Sequence, residues 1–484
     1  MKTPAGRALR PLRTVRARGA ALRAPRSVRA SGRAALQRLE AVRGAGHAAL
    51  PRLRSTRALR RAALRPLRAV GRAALPRLRS TRTLRPLATA LLLTALGACG
   101  GDAQEPAVRV TSSDPELRAM AERLLPDLAR RAGLELQEPV RLERRSRAQL
   151  ESYLRAKLDE ELPPERAAAT VEAYAMLGLV PADLELRDLL LDLYTEQVAG
   201  FYEPDSTALF VLDDQPREAL ESLLLHELVH AVQDQSADLS AVTDPSLGND
   251  RRTAAQAAIE GHATLVMLEF MAERMTGRPV DLARAPALSG QLLPAVEAME
   301  AQFPALASAP EVIRRSLLFP YVQGAAFVQA LWAEEGRVAP FGPHLPASTE
   351  NVVDQDLSDA PTEVILEVVE GGTEVDGEIL GHLEVGVLLE THAGAGAGAS
   401  SAGWDGDRYA LIEREDGARA LVWVSVWDTP DQRDRFVATL ADALDGFDAE
   451  ASLEAATVGG RPAAILRLGE SEGLVVEARL GGEG

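Results

Sequence analysis

The pentapeptide His226-Glu227-Leu228-Val229-His230 constrains this chain more than any other feature. It lies in a stretch that reads as a helix, where residues four apart project from one face, so the two imidazole rings point toward a common point. Two histidines at that separation can share one Zn²⁺, and Glu227 then lies beside the open coordination position, where a base is needed. The alternative is an ordinary amphipathic helix with two incidental histidines, although the 484 residues include only seven histidines. The pattern therefore predicts a zinc site.

The sequence around the pentapeptide also favours a helix, over about 216–235. Asp213 or Asp214 can cap its amino end, Pro216 suits its first turn, and leucines recur at helical spacing. The preceding stretch, Gln197–Asp213, reads as a β-hairpin that turns at 203–207. We therefore expect the site where a hairpin leads into a helix.

Charge divides the chain into two unequal parts. Residues 1–98 carry 24 basic residues against one acid, Glu40, whereas the remainder carries 30 basic and 69 acidic residues. The acidic part is long enough to bury sizeable cores, and it shows no basic stripe. We therefore expect no nucleic-acid partner for the mature chain.

The single cysteine, Cys99, excludes disulfides within the chain and any cysteine-based metal site. It follows an apolar run, 87–98, which is too short to span a bilayer but has the length of a signal-peptide core. The run ends in Leu-Gly-Ala-Cys, which resembles a bacterial lipobox. That resemblance implies cleavage before Cys99 and a lipid anchor on it, which would hold the protein to a membrane of the cell envelope on the extracytoplasmic side. The alternative is a buried apolar segment with a free thiol.

The amino-terminal segment, 1–85, is rich in Arg, Ala and Leu, and its stretch 46–60 recurs at 71–85. It is far too long for the basic region of a signal peptide, and its prolines interrupt any long helix. It is either a disordered basic arm that binds anionic lipid or nucleic acid, or upstream sequence assigned to a protein whose translation begins near Leu84. We favour the second interpretation and exclude the segment from the fold.

The chain beyond the apolar run changes character near residue 355. Before that point, residues 113–196 read as mostly helical, and a second long helix is predicted over Asp250–Thr276. Gly261 in its interior costs about 1 kcal/mol relative to Ala, and a close approach to another helix would compensate. After residue 355, short β-rich runs separated by Gly predict a small α+β domain.

Four details of that small domain can be predicted. The low-complexity stretch 393–403 reads as a flexible loop, and Arg461–Leu480 reads as a closing hairpin. Trp404–Trp427 suggests two strands joined at Asp416-Gly417, and Thr429-Pro430 begins a helix with a capping box. The domain shows no catalytic cluster.

A catalytic zinc usually has three protein ligands and keeps a fourth position for water. Two candidates for the third ligand lie in the predicted second helix, Glu260 and His262. Their side chains point roughly 200° apart around a regular helix, so only one of them can face the metal. The spacing leaves the choice open, because three histidines also make a good catalytic site.

The pattern resembles the gluzincin branch of zinc metallopeptidases over about 197–275. This resemblance implies that Glu260 is the third ligand and that Tyr321 stabilises the oxyanion, with His344 as the second candidate for that role. It also implies that the strand 208–212 is an edge strand that pairs with extended peptide, the alternative being a plain hairpin. The chain departs from the thermolysin-like pattern at Thr264, where that pattern has Asp.

A second resemblance covers most of the mature chain. The stretches HELVHAVQDQ, IEGHAT, FPYVQGAAF and GWDGDRYAL look like those of a family of little-characterised bacterial lipoprotein peptidases. In that reading, water held at the zinc is activated by Glu227, which acts as general base. Asp234, one turn beyond His230, can accept its Nδ1–H, or it is an exposed capping acid.

These observations predict an α+β protein in which a mainly helical, zincin-like metallopeptidase domain with a small β-hairpin or sheet precedes a smaller α+β domain. The expected segments are the Arg-rich stretch 1–85, the signal core and lipobox 86–98, a tether 99–112, the peptidase domain 113–354 and the C-terminal domain 355–484. The expected activity is zinc-dependent hydrolysis of peptide or protein substrates by a membrane-anchored lipoprotein. The alternatives are a non-catalytic zinc-containing lipoprotein that acts as a binding or assembly module, and a basic-arm adaptor for nucleic acid or membranes.

Overall fold

The computed structural model describes residues 109–288, Gly290, Leu292 and residues 303–482. The Arg-rich segment, the signal core, Cys99 and most of the tether lie outside the described residues. The described chain has an α+β fold, in which a mainly helical region precedes a sheet domain. Within it, no helix is both long and apolar enough to cross a bilayer.

The first region contains one small sheet and most of the helices. Its strands are β1 (Val110–Ser112), β2 (Val140–Arg145), β3 (Gly200–Glu203) and β4 (Ala208–Leu212). Its helices are α1 (Pro115–Ala132), α2 (Arg147–Glu161), α3 (Pro164–Met176), α4 (Leu186–Gln197), α5 (Arg217–Ala237), α6 (Leu239–Val242), α7 (Asn249–Thr276), α8 (Pro304–Ser308), α9 (Glu311–Glu335) and α10 (Thr349–Asp354).

The sheet has the strand order β1-β2-β4-β3, with β3 antiparallel to β4 and the other pairs parallel. The predicted hairpin is confirmed as β3 and β4. The prediction that 208–212 is an edge strand is wrong, because β2 pairs with the other side of β4 and leaves β3 at the edge. The prediction that 113–196 is mostly helical is confirmed, although β2 lies within it. The predicted tether ends in β1.

Helices α7 and α9 cross in backbone contact, and glycines make this possible. A Cβ atom on Gly261 would lie 2.1 Å from the carbonyl carbon of Gly324, and a Cβ atom on Gly324 would lie 2.1 Å from the carbonyl oxygen of Ala257. The predicted close approach at Gly261 is confirmed. The crossing fixes the distance between the two helices that flank the candidate site.

We expect Gly324→Ala to lower the free energy of unfolding by about 3 kcal/mol or more, because the added methyl group overlaps backbone that has no free space. This loss exceeds the gain of about 1 kcal/mol that Ala brings to a helix interior. Gly386→Ala in the C-terminal domain is the matched control, since its Cβ would meet nothing closer than 3.6 Å. Denaturant unfolding of both variants measures the difference, and equal stabilities would show that the two helices can separate at little cost.

The C-terminal region forms a layered sheet domain. Its strands are β5 (Val364–Glu370), β6 (Gly372–Glu378), β7 (Trp404–Arg414), β8 (Arg419–Trp427), β9 (Ala451–Val458), β10 (Arg461–Gly469) and β11 (Val475–Leu480), and its helices are α11 (Gly381–Ala393) and α12 (Pro430–Ala441). The main sheet has the order β6-β7-β8-β10-β9, and β11 pairs with β5 in a separate ribbon. Alternate residues of β7 and β8 are buried on opposite faces, one against the two helices and one against the ribbon.

Two predictions for this domain are wrong and two are confirmed. Arg461–Leu480 is not a hairpin, because β10 pairs with β8 and β9 whereas β11 pairs with β5. The stretch 393–403 is not a plain loop, because it includes the 3₁₀ helix Ala397–Ser401, which packs against α11 and α12. The strand pair β7–β8 turns at Asp416-Gly417 as predicted, and Thr429 caps α12 as predicted.

The start of α7 is bonded to the C-terminal domain. The backbone N–H of Asn249 donates to Glu378 (3.1 Å), and the Asn249 side chain donates to Glu384 (3.0 Å). Asp250 accepts from the backbone N–H of Thr349, whose hydroxyl in turn accepts from the backbone N–H of Leu383 on α11. These bonds hold α7, which carries Glu260, against both regions of the protein.

Candidate metal centre

Helix α5 places His226 and His230 in the interior of the first region. Leucines on several faces of α5 are buried, so the whole middle of the helix, including both histidines, is enclosed. The rings of His226 and His230 lie edge to face with centroids 4.7 Å apart. The predicted cap by Asp213 or Asp214 is wrong, because Pro216 occupies the cap position and Asp214 pairs with Arg147 on α2.

Glu260 on α7 completes a cluster with the two histidines. Its Oε2 lies 3.0 Å from Nε2 of His226 and 3.4 Å from Nε2 of His230, and the three donor atoms lie within 4.8 Å of one another. Ligand atoms about 2.1 Å from a tetrahedral Zn²⁺ are about 3.4 Å apart. Two imidazoles and one carboxylate, all buried, therefore fit zinc in chemical type and in spacing.

The protonation of the cluster depends on the contact between His230 and Glu260. His230 donates its Nδ1–H to the side-chain oxygen of Gln233 (2.7 Å), so in the neutral ring Nε2 carries a lone pair and faces the carboxylate of Glu260. Two acceptors at 3.4 Å repel each other unless a proton or a metal ion lies between them. Burial lowers the pKa of His230, but the facing Glu260 outweighs this and raises it to about 9.

His262 points away from the cluster, as expected from the helix geometry. Its Nδ1 lies 3.1 Å from the side-chain nitrogen of Gln233, and its ring packs edge to face on Trp332, with centroids 5.8 Å apart. Burial lowers the pKa of His262 to about 3, so the ring is neutral. The structure thus brings Glu260, and not His262, to the two histidines.

The predicted role of Asp234 is corrected. Gln233 is the partner of His230 Nδ1–H, whereas Asp234 accepts from the hydroxyl of Tyr202 (2.8 Å) and from the backbone N–H of Leu239 (3.0 Å). Gln233 is itself fixed, because its side-chain nitrogen donates to the carbonyl of Ile259 (3.0 Å). A spacing of three residues suits this contact as well as a spacing of four.

The opposite ring nitrogen of His226 has a different environment. Among the described residues, neither Nδ1 of His226 nor the hydroxyl of Thr264 has a hydrogen-bond partner, although both atoms are buried. Thr264 stands where the thermolysin-like pattern has Asp. In this structure, therefore, the residue at that position forms no hydrogen bond to His226.

Glu227 lies fully buried on the same helix as the histidines. Burial raises its pKa to about 8, while the charge of His230 and a hydrogen bond from the backbone of Tyr202 lower it by less. A cation bound at the cluster would favour the ionised form of Glu227. Its position next to His226 is the one expected of a base.

Tyr321 lies close to the cluster, whereas His344 does not. The Tyr321 ring is 6.5 Å from that of His226, measured between centroids. Tyr321 lies in the middle of α9, directly after Pro320. His344 lies 3.7 Å from Glu335, at the far end of α9.

Sequence reasoning missed two residues of this site. Gln233 links His230 to α7, and the backbone of Tyr202 on β3 bonds to Glu227. The sequence could have indicated Gln233, because it follows His230 by three residues and so lies on the same face of the helix. The sequence does not indicate the contact between Tyr202 and Glu227, because that contact depends on how the sheet packs against α5.

Comparison with known proteins informs only the C-terminal domain. The family described as a domain of unknown function, DUF8575, matches residues 367–478. This match includes none of the residues that form the metal centre. No curated protein and no solved structure matches the chain.

Proposed function

We propose that this protein is a zinc-dependent peptidase whose metal is held by His226, His230 and Glu260. One observation carries the proposal. Three buried ligand atoms, one from each of these residues, lie at distances that suit zinc, and the buried carboxyl group of Glu227 is on the same helix as the two histidines. Burying the carboxylate of Glu260 is costly in free energy, and a divalent cation bound to it offsets this cost. A purely structural zinc site needs no adjacent base, so the position of Glu227 favours catalysis over a binding role.

Each neighbouring residue then has a chemical role. Bound Zn²⁺ supplies Lewis acidity, which acidifies water and polarises a carbonyl oxygen. Glu227 accepts the proton of the attacking water and passes it to the leaving amine. The hydroxyl of Tyr321 donates a hydrogen bond to the oxyanion, and Gln233 keeps His230 in the tautomer that leaves Nε2 available.

The sheet supports a zincin-like fold and a way to hold extended substrate. The antiparallel edge strand is β3, which pairs with β4, and the backbone of Tyr202 on β3 bonds to Glu227. Strand β3 therefore lies next to the centre. An extended peptide that adds to this edge would pass Glu227, so we assign to β3 the substrate-pairing role first expected for 208–212.

We expect the purified mature protein to contain about one zinc per chain and to cleave peptides in a mixed library. Removal of the metal with a chelator should abolish cleavage, and Zn²⁺ should restore it, whereas Mg²⁺ should not, because imidazole ligands favour zinc. Elemental analysis and mass spectrometry of the library provide both readouts. Zinc without any cleavage would support the non-catalytic alternative, and absence of zinc would reject the metal centre.

We further propose that the mature protein is anchored to a membrane of the cell envelope through lipid on Cys99. Each buried CH₂ of an acyl chain contributes about 0.8 kcal/mol, so two or more chains suffice for stable attachment. We expect Cys99→Ser to move the protein from the membrane pellet to the soluble fraction. A Ser variant that stays in the pellet would show that lipid on Cys99 is not the anchor.

A further inference from the structure

Gln233 forms three buried hydrogen bonds beside the metal centre, and two of them join α5 to α7. Its side-chain nitrogen lies 3.0 Å from the carbonyl oxygen of Ile259 and 3.1 Å from Nδ1 of His262. Its side-chain oxygen lies 2.7 Å from Nδ1 of His230. The side chains of Gln233 and His262 are both fully buried, so bulk water cannot replace a bond that is lost here.

The orientation of the Gln233 amide follows from its partners on α7. A backbone carbonyl can only accept, so the atom of Gln233 that faces Ile259 must be the nitrogen. The same NH₂ group has a second hydrogen, and Nδ1 of His262 accepts it. The amide oxygen therefore faces His230 and accepts its Nδ1–H, which leaves a lone pair on Nε2 of His230, 3.4 Å from Glu260.

These bonds link the two helices that present the proposed metal ligands. His230 and Gln233 lie within one turn of α5, and Glu260 and His262 lie two residues apart on α7. The bond between Gln233 and His262 therefore holds α5 to α7 next to the ligands, and it does so independently of a metal ion. Ligands that are held in place beforehand lose little conformational freedom when a metal binds, so such a link raises the metal affinity of the site.

The ring of His262 is itself held in place by aromatic neighbours. It lies edge to face with Trp332 and with Phe341, at distances of 5.8 Å and 6.1 Å between ring centroids. These contacts keep Nδ1 of His262 directed at the side chain of Gln233. Without an acceptor there, one N–H of Gln233 would be buried without a partner, at a cost that favours other rotations of the amide. His230 would then lose the fixed acceptor for its Nδ1–H.

We propose that His262 is a positioning residue of the metal centre, which acts on His230 through the amide of Gln233. The inference rests on the proposed function, because it concerns the metal site on which that function depends. It goes beyond the role of Gln233 alone, since it makes the orientation of His230 depend on a side chain of the helix that carries Glu260. Residues that orient a metal ligand in this way change metal affinity by about 10- to 100-fold when they are replaced.

Two substitutions of equal size separate this role from simple packing. His262→Asn and His262→Leu both remove the ring from Trp332, but Asn places an acceptor oxygen close to the position of Nδ1, whereas Leu has no acceptor. We expect His262→Leu to weaken zinc binding by about tenfold and His262→Asn by less than about threefold. A role in packing alone would weaken binding alike in both variants. Competition with a chromophoric chelator measures the affinity, because a loss of about tenfold leaves a tight site filled after dialysis.

Gln233→Leu tests whether the effect passes through the amide. It should weaken zinc binding by about 10- to 100-fold, and in its background the Asn and Leu variants of His262 should bind zinc equally, because the side chain through which they act is absent. Gln235→Leu is the matched control, because Gln235 also forms three hydrogen bonds from α5, all of them to the backbone of Gln137 and Glu138. This control should bind zinc with wild-type affinity.

Peptide cleavage by the same preparations separates this inference from the proposed function. If the wild-type protein cleaves peptides but the Asn and Leu variants of His262 bind zinc alike, or still differ in the Gln233→Leu background, the positioning role is wrong and the peptidase stands. If the variants differ as expected but the zinc-loaded wild-type protein cleaves nothing, the positioning role stands and the peptidase is wrong. A wild-type protein that binds no zinc rejects both. Should His262→Leu fail to fold, ¹⁵N NMR of the wild-type histidines decides, because a proton on Nδ1 of His262 would reject the role and a proton on Nε2 alone would support it.

Discussion

Replacing Glu227 with Gln is expected to lower kcat/KM for peptide hydrolysis by about 10²- to 10⁴-fold, because the amide cannot accept the proton of the attacking water. Zinc content should not change, since His226, His230 and Glu260 are untouched. Stability should not fall either, because the amide matches the carboxyl group in shape and avoids the burial of a charge. Peptide cleavage, elemental analysis and thermal unfolding of the same preparation measure the three quantities.

The matched control is Glu218→Gln, which makes the same chemical change at an exposed position in the first turn of α5. It should leave the rate, the metal content and Tm at wild-type values. Hydrolysis that survives in Glu227→Gln at more than about a tenth of the wild-type rate would contradict the proposed role of Glu227 as base.

Removing the side chain of Glu260 is expected to reduce zinc occupancy from about one per chain to near zero after dialysis. Two imidazoles alone make a weak site, and the loss also removes the negative charge that offsets the metal. His262→Ala should keep its zinc, because His262 contacts Gln233 and Trp332 and is not one of the three clustered residues. It should lose about 2–4 kcal/mol of stability through the cavity that the ring leaves.

The comparison of these two variants decides between the ligands that the sequence left open. Metal analysis of both proteins after identical dialysis is sufficient, and thermal unfolding shows whether each is folded. Loss of zinc in His262→Ala together with full occupancy in Glu260→Ala would assign the third ligand to His262 and separate this protein from the gluzincin pattern.

Much of the first region could be predicted because its signals are local. Pro216 and the helical spacing of leucines located α5 closely, the predicted bounds of α7 differ from the observed ones by one residue, and Gly261 correctly indicated a close helix crossing. Strand β2 was missed because its sequence, VRLERR, is highly charged and gains its partners only from the distant strands β1 and β4. A local sequence pattern does not indicate pairing between strands that are far apart in the chain.

The residues of the candidate site could likewise be predicted only where they are close together in the sequence. A period of four placed His226 and His230 on one face, but it could not choose between Gln233 and Asp234, since both follow His230 within one turn. The packing of β3 against α5 decides that choice, because it gives Asp234 the hydroxyl of Tyr202 as its partner.

The glycine crossing has a consequence for motion. Glu260 and Tyr321 each lie within three residues of the contact between Gly261 and Gly324, where the two backbones already touch. Packed backbones have discrete arrangements and do not slide freely past each other, so these two side chains must move as one rigid body. In the proposed peptidase, any movement that admits substrate or releases product therefore has to come from other elements, such as β3 and α5, which meet at Tyr202 and Glu227.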